Sequence, residues 1–189
     1  MYVALLDTCA LWPSRQRDFL LSLAVENVYR PMWSDVTLEE LEYHEAEKLR
    51  DRGTSAEEAE QRAAALLKRM CDAFSGATID TWATIRPVGL PDPDDEHVVA
   101  AAIIGGADVI VTDNVRDFPP AKLPGGLKVI RPAPFLDEMV QAQPVESAAA
   151  LRAMAARLSS PRLEPGDLID LLEMRYGIST AADVLRDWV

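Results

Sequence analysis

Carboxylates collect at both ends of a single apolar unit in residues 92–118, where Asp92, Asp94 and Asp95 precede it and Asp113 and Asp117 follow it. Oxygen donors gathered in this way suit a hard divalent cation. Between them, Val98, Val99, Ala102 and Ile103 recur at helical spacing, the Gly105-Gly106 pair predicts the helix stop, and Val109–Val111 is a β-branched run of the kind that forms a buried strand. Asp95 stands three and four residues before Val98 and Val99, so its side chain falls on the stripe turned towards the sheet. An inward carboxylate is costly unless it is paired or binds a cation, and Arg116 is the one obvious positive partner nearby. Capping offers a plainer reading, with Asp94 at the helix start and Asp117 in an Asx turn before Phe118.

The elements that would position these groups are legible on either side. Residues 2–6 read as a first strand ending at Asp7, and in a parallel sheet Asp7 shares an edge with Asp113 and Asp117, the edge at which open α/β sheets bind ligands. A helix follows Pro31-Met32-Trp33, and Glu40 within it supplies a further acid. Thr37 and Glu40 also fit a capping box, which would make Glu40 a purely local residue. Helices are expected over 15–26, 37–50 and 55–74, the last opened by Ser55-x-x-Glu58, and the two long ones could pair as a hairpin. Leu66, Leu67 and Met70 on that hairpin are either core residues or contacts for a partner. The prolines of 80–91 predict an irregular connector, and Pro119-Pro120 with Pro124-Gly125-Gly126 predicts an exposed loop.

In this order, Asp7, Ser34 with Glu40-Leu41, the segment from Asp92 to Ala102, and Thr112 to Phe118 resemble a PIN domain, the nuclease fold of VapC-type toxins. Val129 to Pro132 with Phe135-Leu136 resembles its closing strand and helix. The resemblance covers residues 1–142 and implies a PIN-like three-layer α/β fold, a central parallel sheet flanked by helices. It implies a Mg²⁺- or Mn²⁺-dependent ribonuclease with Asp7, Asp95 and Asp117 as metal ligands and Glu40 as a fourth catalytic acid. Glu39 and Asp94 adjoin the matched positions, and Glu40 is preferred because Leu41 follows it. Asn114 matches a position occupied by Asn or Asp in relatives. Thr112, Asp113, Asn114 and Ser34 would support the acids from behind. RNA as substrate, a small antitoxin as partner and a second copy of the chain as a further partner are implied as well. A catalytically silent PIN fold that binds RNA or protein is the alternative.

Other chemistries fit less well. A haloacid-dehalogenase-type phosphatase needs a second Asp two residues after the first, where this chain has Cys9, and a phospho-acceptor receiver needs a late Lys better placed than Lys122 or Lys128. The 189 residues, 49% of them hydrophobic, suffice for one α/β domain and a small extension. Residues 143–189 form that extension, with helices expected over 146–158 and 167–176, a break at Ser159-Ser160-Pro161, and a last helix opened by Thr180-x-x-Asp183. Cys9 and Cys71 have no metal-type spacing, which predicts small core residues in a reducing, cytoplasmic setting; no window predicts a membrane span. The net charge of −12 runs against binding a polyanion. Much of it is local, since residues 36–60 hold nine acids against three bases, and an acidic surface would also attract a basic antitoxin segment.

Overall fold

The computed structural model describes residues 1–159 and 161–189. Five parallel strands form its centre: β1 (Val3–Leu6), β2 (Arg30–Ser34), β3 (Thr78–Ile79), β4 (Val109–Val111) and β5 (Lys128–Ile130), in the order β3-β2-β1-β4-β5. Every partner runs the same way, so all the carboxyl ends share one edge. The chain leaves β1 towards β2 on one side and towards β4 on the other, which opens a crevice at the end of β1. Asp7 and Thr112, the residues that follow β1 and β4, flank that crevice.

Side-chain alternation sorts the sheet into two faces. Ala4, Leu6, Val109 and Val111 point into one apolar cluster, and Leu5, Met32 and Ile110 point into another. The second face is covered by α5 (Glu96–Gly105) through Val98, Val99, Ala101 and Ala102. The helix stops as expected, with Gly106 in the left-handed region at φ 64. At Gly105 an added Cβ would meet the tip of the Met32 side chain, which would have to shift to make room.

The first face is covered by α2 (Ser14–Val25), α6 (Pro132–Ala142) and the C-terminal helices α7 (Pro144–Arg157), α8 (Pro165–Tyr176) and α9 (Ser179–Arg186), which follow a short α1 (Thr8–Leu11) at the start of the chain. Leu151, Met154, Leu168, Ile169 and Leu185 join the same cluster as Leu6 and Val111. The extension therefore shares the sheet's core. Between β2 and β3, α3 (Asp35–Asp51) and α4 (Ala56–Ala73) pair as the expected hairpin around Ala46, Ala59 and Ala63. Leu67 and Met70 are buried core residues.

Several expectations need correction. β2 and β3 are strands that the pattern did not announce: Pro31 sits inside β2, and β3 has two residues. Pro31 is tolerated because β3 reaches only Trp33 and Ser34, leaving β2 with one neighbour at that level. The cap of α3 is Ser34, whose hydroxyl accepts from the Thr37 N–H, so the Thr37 capping box does not form. Asp92, not Asp94, caps the turn before α5, accepting from the Asp94 N–H at 3.0 Å. Thr180 lies inside α9, which begins at Ser179. The Ser55 cap forms as expected. Of the expected break at Ser159-Ser160-Pro161, Ser160 lies outside the described residues. Among the described residues, no helix is long and apolar enough to cross a membrane.

Candidate active site

Asp7 is buried at 5% exposure, and its carboxylate is held by three donors. The Thr8 N–H reaches Oδ1 at 2.7 Å, while the Thr112 hydroxyl at 2.6 Å and the Cys9 thiol at 3.1 Å reach Oδ2. These bonds follow from topology. β1 and β4 are paired in register, so Thr112 emerges beside Asp7, and α1 begins at once after Asp7, folding Thr8 and Cys9 back over it. Alternation also places Asp7 on the face of Leu5, the face covered by α5, whose amino end carries Asp95.

A cleft of about 470 Å³ opens there, lined by Asp7, Glu40, Asp92, Asp94, Asp95 and Asn114 with Thr8, Cys9, Trp12 and His44. Asp95 has its carboxyl pushed up to about 7, first by burial, then by the negative charges of Asp7, Asp92, Asp117 and Glu40. Glu40 accepts from the Thr8 hydroxyl, whereas Glu39 is exposed and borders a separate hollow with Glu42, Tyr43 and Arg50. Both Asp94 and Asp95 line the cleft. Asp117 stands further out, at the end of a 3-10 turn (Val115–Asp117), within electrostatic reach of Asp95 but outside the lining. Among the described residues, no three His, Cys, Asp or Glu side chains are drawn together into a ready metal-binding group.

The expected supporting residues divide. Thr112 holds Asp7 and also accepts from the Asn114 N–H at 3.0 Å. The Asp113 carboxyl is raised by burial against the pull of Arg131, and its N–H meets the Cys9 sulfur at 3.1 Å. Ser34 bonds Thr37 at 2.9 Å and His97 Nδ1 at 2.8 Å, and among the described residues it makes no hydrogen bond to the four acids.

Cys9 corrects the expectation of a core residue, since it lines the cleft. Its thiol is pushed up to about 12 by burial and by Asp7, so it stays protonated and serves as a donor to Asp7, not as a nucleophile. His97 went unnoticed in the sequence. It is buried, its pKa is lowered by desolvation despite the acids around it, and it packs edge-on to Trp82. Trp12 and His44 were missed as well, because their place in the cleft depends on how α1 and α3 meet. Only the Asp92-x-Asp94-Asp95 run carried a local signal.

The family model of the PIN domain matches residues 4–116, more than half of the chain. The chain belongs to the PIN domain family. The matched part of this PIN domain includes Asp7, Glu40 and Asp95 and ends one residue short of Asp117. "Putative ribonuclease VapC50" of Mycobacterium tuberculosis (strain ATCC 25618 / H37Rv) is 34% identical over 79 residues, 41% of this PIN protein and 47% of that relative. The match thus spans about half the length of the curated relative. No solved structure matches significantly.

Proposed function

We propose that this PIN domain is a metal-dependent ribonuclease that hydrolyses RNA phosphodiester bonds and acts as the toxin of a toxin–antitoxin pair. The observation that carries the reading is the cleft itself, in which a fixed Asp7 accompanies an Asp95 whose ionisation is opposed first by burial and then by the charges of Asp7, Asp92, Asp117 and Glu40. That field favours a cation. The donor set fits Mg²⁺ or Mn²⁺, being made of carboxylate oxygens, with the Cys9 thiol protonated and His97 neutral and engaged with Ser34. Asp7, Asp95 and Asp117 would hold the ion, which supplies neutralisation of charge on the phosphate and greater acidity of water.

The protein's own groups supply the rest. The Thr112 hydroxyl and the Thr8 N–H fix the Asp7 carboxylate, and Thr8 also steadies Glu40, which is placed to orient the attacking water and accept its proton. Asn114 offers an amide donor to a phosphate oxygen from the cleft wall. The VapC name of the relative and the acidic cleft together support an antitoxin whose basic segment lies across the carboxylates.

The test is cleavage of RNA by the purified protein with Mg²⁺, with Mn²⁺ and with EDTA. Cleavage in metal, none in EDTA and none by Asp95→Asn is the expected result. The second reading, a silent binding module, is favoured by the absence of a ready metal-binding group among the described residues. RNA bound but uncut in either metal would establish it.

A further inference from the structure

Three adjoining depressions share one side chain, Trp12. It walls the acidic cleft, lies in a hollow with His44, Lys48 and Arg52, and borders a groove of about 450 Å³ formed with Arg15, Lys48, Arg52, Arg175 and Tyr176. Among the described residues, no acid lines that groove. In a chain of net charge −12 this is an exception, and it lies directly beside the carboxylates.

Its positive charge is only partly spent within the protein. Arg15 faces Asp18 at 3.6 Å. Lys48 bonds Glu45, but Glu45 is also shared by the buried Arg17 at 2.7 Å, so the trio keeps one positive charge. Arg52 and Arg175 are exposed, and among the described residues neither enters an ion pair. Glu47 and Asp51 stand in the adjoining hollow and temper the field there without entering the groove. Trp12 is 46% exposed, with Lys48 Nζ 5.8 Å from its ring centroid. An exposed indole beside guanidinium groups is the pairing that grips single strands, where bases stack on the ring and cations follow the backbone.

We infer that the groove binds the single-stranded RNA that flanks the bond held in the acidic cleft, with Trp12 stacking a base and Arg15, Lys48, Arg52 and Arg175 meeting backbone phosphates. The inference rests on the ribonuclease reading and deepens it. It gives the C-terminal extension a role, since Arg175 and Tyr176 belong to α8, outside the part matched by the family model. It also reconciles an acidic protein with a polyanionic substrate, because the cations are concentrated where the strand enters.

The full-length chain should be compared with the Arg52→Ala/Arg175→Ala double variant and with Trp12→Ala. Binding is read by fluorescence anisotropy in EDTA, using a labelled oligouridine of about ten nucleotides and a duplex of the same length. The double variant should bind about tenfold more weakly or worse, with a salt slope shallower by about 0.7 for each phosphate left unneutralised. In Mn²⁺ its KM should rise while kcat is largely kept, and its melting temperature should not move. Trp12→Ala should weaken the single strand by about tenfold or more while sparing the duplex. Unchanged affinity, salt slope and KM in a double variant that still cuts RNA would overturn the groove and leave the ribonuclease reading standing. Wild-type protein that neither binds nor cuts RNA would instead remove that reading, and the groove with it. With labelled polyglutamate as a third probe, binding by the wild type that the double variant loses while RNA binding stays intact would reassign the groove to an acidic protein segment and overturn the proposal.

Discussion

Replacing Asp95 by Asn should make the metal-free protein more stable, not less. The Asp95 carboxyl is raised from 3.8 to about 7, by burial and then by four neighbouring acids. A folded-state value above the unfolded one means that stability is fully present below about 3.8 and is lost as pH rises through about 7. Three units correspond to about 4 kcal/mol, which solvent around a half-buried carboxyl screens to about 1–2 kcal/mol. Asn keeps the shape of protonated Asp and carries no charge. In EDTA at pH 8, Asp95→Asn should therefore melt about 3–6 °C higher than wild type, and the gap should shrink as pH falls from 7 towards 4. Added Mn²⁺ should reverse the order, because binding at a hundred times Kd contributes about 2.7 kcal/mol to the wild type and much less to the variant. Scanning fluorimetry across pH, with and without Mn²⁺, reads all of this. A gap that does not change with pH would refute the electrostatic argument, and equal Mn²⁺ stabilisation of both proteins would refute the ligand role.

Thr112→Val removes the hydroxyl that donates to Asp7 at 2.6 Å, and Mn²⁺ affinity by calorimetry should fall about 10- to 100-fold with the fold retained. Glu45→Ala strands the buried Arg17 guanidinium, which should cost about 3–5 kcal/mol in chemical denaturation; a loss under 1 kcal/mol would contradict the pairing. Burial opposes the ionisation of Glu45, but its bonds to Lys48 and Arg17 outweigh it and hold its pKa below 4.5, so this stability is present above 4.5 and lost as pH falls through the lower folded value. A basic antitoxin segment lying across the cleft should inhibit less as salt or Mn²⁺ rises. Inhibition insensitive to both would move the contact to the α3–α4 hairpin or to residues 145–189.

What could be read from the sequence was what local chemistry dictates. β1, α5 and β4 announce themselves through an apolar run, a helical stripe stopped at Gly106, and three β-branched residues in a row. Their parallel arrangement then puts Asp7 and Thr112 side by side. β2 was hidden by Pro31, and β3 by having two residues, because both exist through pairing rather than propensity. The helix α3 takes its cap from Ser34 because β2 runs straight into it, so the better-looking Thr37 is already inside the first turn. Cys9 looked like a core residue, since nothing in Asp7-Thr8-Cys9 says that a four-residue helix will fold the thiol back onto Asp7. Trp12, His44, Arg52 and Arg175 meet only through the packing of α1, α3 and α8, a relation no spacing along the chain encodes.

The acidic centre is tested most directly by locating Mn²⁺ in crystals of the protein through its anomalous scattering. A peak among the carboxylates of Asp7, Asp95 and Asp117, with Glu40 beside it, is the expected result. Mn²⁺ bound only elsewhere, or absent from the cleft at saturating concentration, would contradict the assignment of these acids to one hydrolytic site.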